Sequence, residues 1–277
     1  MKSLPTILTI AGSDCSAGAG IQADLKSIHA NGGYALTVAT AVTAQNSHGV
    51  KQVYALPAEQ VKAQLNAIIE DYKIAAIKIG MLANAQIMEV VIECLKPLQE
   101  VPIVLDTVLL SSSGKPLLEE NAVEVMVNKL FPLVTLITPN IPEMLKLLNL
   151  ESNQATKSSL EPEFVLKQLK IKKWPNCLLK GGHSQEEQAI DYLLLAAKNQ
   201  AIDYASPRIK AQHNHGTGCT LSSAIATQLA KGHSIEDAVN EAKSYLFKTL
   251  KTAHLAQPKY NKASEERHGG LNHFVDI

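Results

Sequence analysis

The ten residues from Asn214 to Ser223 read Asn-His-Gly-Thr-Gly-Cys-Thr-Leu-Ser-Ser, a glycine-punctuated turn that runs straight into an apolar pattern of helical spacing. Leu221, Ile225 and Leu229 recur four apart, which predicts a helix over residues 217–231 stopped by Gly232. The first turn of such a helix presents unpaired backbone N–H groups and the positive end of a macrodipole worth roughly half a charge. Gly216 and Gly218 let the backbone come close to an anion, so a phosphate or the charge developing in a transition state suits this junction. Cys219 stands at the same place. Glycine turns also open helices for packing reasons alone, so the weight of the reading rests on the company this segment keeps. No Walker-type Gly-x-x-x-x-Gly-Lys-[Ser/Thr] and no complete Gly-x-Gly-x-x-Gly occurs, so any nucleotide chemistry must use another fold.

Short β-branched runs alternate with longer amphipathic ones along the chain. Residues 6–10, 36–43, 75–79, 103–106, 135–138 and 177–180 read as buried strands, and 21–31, 58–72, 85–98, 119–130, 141–148 and 162–172 as helices. This repetition predicts an α/β fold with a mostly parallel sheet covered on both faces. After Gly182, two close runs at 189–196 and 201–205 predict an antiparallel hairpin at one edge. Two helices close the chain, the second over about residues 234–256. The polar stretch 151–161 reads as a loop. With no repeat, low-complexity segment or linker in view, residues 1–277 are expected to form one domain.

In such a sheet, ligands bind outside the carboxyl ends of the strands. Those positions carry Gly12, Asp14 and Cys15 after the first strand, with Asp24 one turn into the next helix. Thr43, Gln45 and Asn46 follow the second strand, and Gly80 and Met81 the third. Asp106, the run Thr138-Pro139-Asn140-Ile141-Pro142-Glu143, and Lys180-Gly181-Gly182-His183 complete the rim.

Lys plus Arg and Asp plus Glu both number 26 among the 277 residues, so no field steers the chain to nucleic acid or an anionic membrane. The opening apolar run is cut by Pro5 and reads as a strand rather than a signal peptide. No stretch approaches the roughly 20 apolar residues of a membrane span. Cys15, Cys94, Cys177 and Cys219 show no Cys-x-x-Cys spacing, which fits a reduced, cytoplasmic protein without structural zinc, with Cys94 and Cys177 inert in the core.

In order and spacing, these segments resemble the hydroxymethylpyrimidine and phosphomethylpyrimidine kinases of thiamine biosynthesis, within the ribokinase-like superfamily. The resemblance runs from about Thr6 to Phe274. It is carried by residues 11–24, Ala-Val-Thr-Ala-Gln-Asn-Ser-His-Gly at 41–49, Lys-Ile-Gly-Met-Leu at 78–82, and residues 138–143, 180–183 and 215–222, with Leu-Asn-His-Phe at 271–274 like the family's tail. It implies a ribokinase-like three-layer α/β/α sandwich, a homodimer, and two successive ATP-dependent phosphorylations. The first falls on the hydroxymethyl oxygen of 4-amino-5-hydroxymethyl-2-methylpyrimidine and the second on the resulting monophosphate, giving the diphosphate.

Site roles follow from the same resemblance. Gly216, Thr217, Gly218 and Cys219 would form the anion hole around the transferring phosphoryl group, with Cys219 the candidate base. A thiol at a helix N-terminus is expected to ionise more easily than a free one. Asn140 and Glu143 would organise Mg²⁺ and phosphates through water, although the same residues also read as the cap and first turn of a helix opened by Pro142. Lys180 would face the ATP phosphates, with Thr217 and Asp191 near the nucleotide. Asp24 and Asp106 would approach the acceptor phosphate and metal. Gln45 would meet the aminopyrimidine edge with its amide, and Gly12, Asp14, Val42, Met81 and Val108 would complete that pocket.

The chain departs from the pattern in three places. Ser111-Ser112-Ser113-Gly114 stands where the family commonly has Ala-Lys-Ser-Gly, Asn214 replaces a threonine and Ala17 a frequent glycine. A lysine at 112 would hold the acceptor phosphate or order a lid, so its replacement bears on the second phosphorylation. Two other functions compete: a pyridoxal kinase of the same fold, whose substrate is also a small hydroxymethyl heterocycle, and a catalytically silent ligand-binding regulatory protein.

Overall fold

A computed structural model describes residues 3–109, 118–150, 160–181, 188–209, 212–261 and 267–275. One sheet of nine strands runs through them: β1 (Thr6–Asp14), β2 (Tyr34–Asn46), β3 (Gly49–Ala55), β4 (Ala76–Ile79), β5 (Ile103–Leu105), β6 (Leu136–Ile137), β7 (Asn176–Leu179), β8 (Gln188–Leu195) and β9 (Gln200–Pro207). Their order is β3-β2-β1-β4-β5-β6-β7-β8-β9. The six strands from β2 to β7 in that order are parallel, while β3 pairs antiparallel with β2, and β8 antiparallel with both β7 and β9. The helices are α1 (Gly20–Ala30), α2 (Ala58–Asp71), α3 (Ala85–Leu95), α4 (Glu120–Val125), α5 (Ile141–Leu147), α6 (Pro162–Lys172), α7 (Thr217–Ala230) and α8 (Ile235–Lys251).

The alternation of side chains along each strand divides the core in two. Leu8, Ile10, Ile103 and Leu105 point to one face, where α2, α3, α5 and α6 cover them with Val61, Leu65, Ile87, Met88, Met144 and Leu169. Ile7, Val104, Leu136 and Leu178 point to the other, against Ile28 of α1, Leu221 and Ile225 of α7, and Val239 and Tyr245 of α8. The result is the expected three-layer α/β/α sandwich with the β8–β9 hairpin at one edge. Each such fully buried side chain contributes about 1.5–3 kcal/mol of transfer free energy. No helix among the described residues is long and apolar enough to cross a membrane.

Three differences separate the structure from the sequence reading. Strand β3 was not anticipated, because the Gly-Val-Lys-Gln-Val-Tyr-Ala run is mostly exposed and lacks the apolar signature of a buried strand. It forms as the second arm of a hairpin whose first arm, β2, reaches to Asn46. Strands β1 and β2 also stay paired beyond their apolar cores: the ladder shifts register between Ala11 and Ser13, then resumes at Ser13 with Val42 and Asp14 with Thr43. Asp14 and Gln45 therefore sit on strands rather than on loops. The helix expected over 119–130 instead opens into a wider π-helical stretch at Met126–Leu130 before Pro132.

Candidate active site

The parallel strands β1, β4, β5, β6 and β7 all end at one rim, and α7 begins there. Gly216 enters α7 with φ 85°, a left-handed conformation open to glycine, and no side chain caps the helix. A Cβ at Gly216 would lie 1.9 Å from the carbonyl oxygen of Gly18, so the first loop and the start of α7 touch through backbone alone. The Thr217 hydroxyl donates to the Asn214 carbonyl, and the Gly216 carbonyl accepts only from Thr220 N at 2.9 Å among its backbone bonds. The first-turn N–H groups of Thr217, Gly218 and Cys219 thus face the rim without a capping side chain.

A charged cluster meets this turn. Lys180, just past β7, donates to Asp106 Oδ1 at 3.0 Å, and Thr138 donates to the same oxygen at 3.1 Å. A Cβ at Gly218 would lie 3.0 Å from Asp106 Oδ2 and 3.4 Å from Lys180 Nζ, which puts the carboxylate and the ammonium beside the helix N-terminus. Burial alone would lower the Lys180 pKa, but the neighbouring Asp106 and Glu143 carboxylates raise it, so it is a firm cation. Asn140 caps α5 by accepting from Glu143 N at 2.8 Å, while Glu143 Oε2 accepts from Asn140 N at 2.9 Å and from Thr107 Oγ1 at 3.3 Å. This is a complete capping box. Burial pushes the Glu143 carboxyl up to about 7, against the pull of Lys180 and with the repulsion of Asp106.

On the other side of α7 lies the end of the β1–β2 ladder. Gly12 approaches Met81 so closely that a Cβ there would be 2.4 Å from Met81 Cε. Thr40 Oγ1 fixes the Met81 carbonyl at 2.6 Å. Val42 is 45 % exposed on β2, and Val108 is half-buried two residues past Asp106. The Gln45 side chain reaches His215 Nε2 at 2.8 Å and Thr43 Oγ1 at 3.3 Å. Backbone donors, a lysine and two carboxylates therefore meet at one rim, a set suited to holding a charged group, with the Gln45 amide at the end of the neighbouring β1–β2 ladder.

Comparisons with known proteins identify the family. The sequence profile of the phosphomethylpyrimidine kinase family matches residues 14–264. The chain belongs to this family. It is 39 % identical over 278 aligned positions to a hydroxymethylpyrimidine/phosphomethylpyrimidine kinase of Haemophilus influenzae, covering 99 % of this chain and 98 % of that one. A phosphomethylpyrimidine kinase structure from Clostridium difficile superposes with a TM-score of 0.73 at 39 % identity, over 88 % of this chain and 98 % of the other. An ADP complex of Bacillus subtilis pyridoxal kinase superposes with a TM-score of 0.83 at 29 % identity, over 98 % of both chains.

Against this background several expected site residues of the kinase take different positions. Asp24 is fully buried beneath the rim, holding Lys78 Nζ at 2.8 Å with both oxygens and accepting from Thr9 at 2.6 Å and Ser223 at 2.8 Å. It ties β1, β4 and α7 together from α1. Asp14 is a loop organiser, since its carboxylate accepts from Ser16 N and Oγ, Gly18 N, Ala19 N and His215 Nε2. Burial would raise its pKa, but the hydrogen bonds from His215, Ser16 and Ala19 outweigh that and bring it down to about 2. Asp191 is buried and already partnered: it accepts from Gly181 N at 2.8 Å and from Lys243 of α8 at 2.6 Å. Asn140 has its amide oxygen engaged in the cap.

The expected ease of ionisation of Cys219 is also corrected. Burial pushes the thiol up to about 11, and the Lys78 ammonium and the Gly20 N–H offset only part of that. Ala17 adopts φ 60°, which explains why glycine is the easier residue there. Cys177 is buried as expected, whereas Cys94 is only partly buried. Ser111 to Gly114, Gly182 and His183 lie outside the described residues. The residues missed from sequence are Thr107 and Lys243; Lys78 and Thr138 stand in the segments read above but without a role of their own, and Lys78 carried the further signal of a lysine inside an otherwise apolar strand.

Proposed function

We propose that the chain works as one kinase domain that transfers the γ-phosphoryl group of ATP to the hydroxymethyl oxygen of 4-amino-5-hydroxymethyl-2-methylpyrimidine, and then a second phosphoryl group to the monophosphate. The observation that carries this reading is the meeting of the uncapped α7 N-terminus with the Lys180–Asp106 pair at Gly218. Phosphoryl transfer through a loose transition state asks for positioning and charge neutralisation rather than covalent chemistry. In this reading the N–H groups of Thr217, Gly218 and Cys219 receive the equatorial oxygens and Lys180 balances the charge between donor and acceptor. The acceptor oxygen forms its bond to phosphorus as the bond to ADP breaks. In the first transfer the hydroxyl proton leaves late, with the Cys219 thiolate the candidate acceptor. Gln45 faces the pyrimidine, with Gly12, Met81, Val42 and Val108 around it.

Mg²⁺ belongs to the same proposal. Among the described residues no three His, Cys, Asp or Glu side chains gather as a metal cage. The two carboxylates of Asp106 and Glu143 beside the phosphate-binding turn fit an ion that keeps most of its water and takes one or two carboxylates together with phosphate oxygens. When bound, it would neutralise phosphate charge; Asn140 would contribute by holding Glu143 in place. A homodimer is part of this reading, tested by light scattering.

The full-length likeness to pyrimidine kinases favours the pyrimidine over pyridoxal. The presence of Glu143, Lys180, Asp106 and Cys219 at one rim speaks against a silent binder. Incubation with ATP, Mg²⁺ and either heterocycle, with products separated by mass, tests the assignment.

A further inference from the structure

The imidazole of His215 stands between two partners that make incompatible demands on one nitrogen. Its Nε2 is 3.0 Å from Asp14 Oδ2 and 2.8 Å from the end of the Gln45 amide. The Asp14 carboxylate already takes four N–H or O–H donors from Ser16, Gly18 and Ala19, which marks it as an ionised, acceptor-only group. Nε2 must therefore carry a hydrogen toward Asp14 and has no lone pair for an amide N–H. An NH₂ group facing it would set donor against donor. A half-turn of the amide resolves the conflict and keeps every group bonded. Gln45 Oε1 then shares the single Nε2–H with Asp14 Oδ2 in a three-centre bond, the Gln45 NH₂ donates to Thr43 Oγ1, and Thr43 keeps its own hydrogen on the Ser13 carbonyl at 3.0 Å.

The ring itself has little freedom. A Cβ at Gly18 would lie 2.3 Å from His215 Cδ2, so the first loop lies against the imidazole, and His215 N donates to the Gly269 carbonyl at 3.1 Å.

We infer that His215 is a positioning residue that holds the Gln45 amide with its carbonyl toward the imidazole and its NH₂ toward Thr43, and that this setting selects an aminopyrimidine over a phenolic ring. The amide keeps one free acceptor lone pair and one free N–H side by side. An amino group next to a ring nitrogen offers the matching donor and acceptor; a lone phenolic oxygen satisfies only one of the two. The inference rests on the proposed placing of the pyrimidine at Gln45.

Two readouts test it. In ¹⁵N-histidine-labelled protein at neutral pH, His215 Nε2 is expected to be the protonated nitrogen; a bare Nε2 overturns the inference, whatever the enzyme phosphorylates. His215→Phe is expected to raise the KM for the aminopyrimidine about tenfold or more relative to the KM for pyridoxal. His215→Gln, which keeps an N–H donor, should recover part of the difference, and Thr43→Val serves where the phenylalanine variant does not fold. An unchanged KM ratio between the two substrates in a folded variant overturns the inference. Failure of the wild-type protein to phosphorylate the pyrimidine would instead sink the functional reading and leave the tautomer result to stand or fall alone.

Discussion

Lys78 and Asp24 form an ion pair sealed from water, with Lys78 Nζ 2.8 Å from both carboxylate oxygens and neither side chain exposed. Burial would strip the lysine of its proton, but Asp24, with Cys219 and Asp106, raises its pKa instead. Removing one partner of such a pair leaves an uncompensated buried charge and costs about 3–5 kcal/mol. Lys78→Met should lose that much in urea unfolding, and Lys78→Met with Asp24→Asn should recover at least half of it. A double variant no more stable than the single one would show that the pair is not the unit we describe.

Gly216 joins the first loop to α7 at a point where no Cβ fits. Gly216→Ala would combine a left-handed φ, which costs a non-glycine residue about 1–2 kcal/mol, with a backbone clash against Gly18. The variant should unfold at lower urea and lose more activity than stability explains, because the N–H groups of the turn would move. Activity scaled to the folded fraction measures this, and full specific activity would contradict it.

Glu143 gives the protein a pH signature. Its carboxyl, 4.5 in its ordinary state, is pushed up to about 7 in the fold. Between those values the native chain holds a proton that the unfolded chain has released, so stability falls as pH rises through the window. Glu143→Gln has no proton to lose and should show a shallower fall between pH 5 and pH 8. Equal slopes in urea titrations of the two proteins would remove the assignment.

Cys219 makes the proton step testable by pH. With the thiol up at about 11 in the free protein, a base role predicts that kcat/KM climbs with pH well above neutrality. Cys219→Ala should abolish that climb and lower turnover about 10²-fold or more while ATP affinity changes little. Near-normal turnover with the same pH profile would reduce Cys219 to a pocket wall.

Much of this site was legible in the sequence because its parts follow strands. Asn140 with Glu143, Asp106, Lys180 and Gly216 to Cys219 all stand where an apolar run stops, and the sheet carries such positions to one rim. What sequence could not show was which carboxylates are already engaged. Asp24 and Asp14 follow the same strand and look equally available, yet one is locked to Lys78 and the other to the backbone of its own loop. Such partnering depends on residues far apart in the chain: Asp24 meets Ser223, and Asp14 meets His215. Strand β3 escaped for a related reason, since an exposed edge strand is fixed by its neighbour rather than by its own apolar pattern.

The most direct test is a coupled ADP-release assay with Mg²⁺-ATP and 4-amino-5-hydroxymethyl-2-methylpyrimidine, its products resolved by mass, with pyridoxal in parallel. The account predicts conversion through the monophosphate to the diphosphate at a higher kcat/KM than for pyridoxal. Phosphorylation of pyridoxal alone, or no ADP release with the pyrimidine, would contradict it.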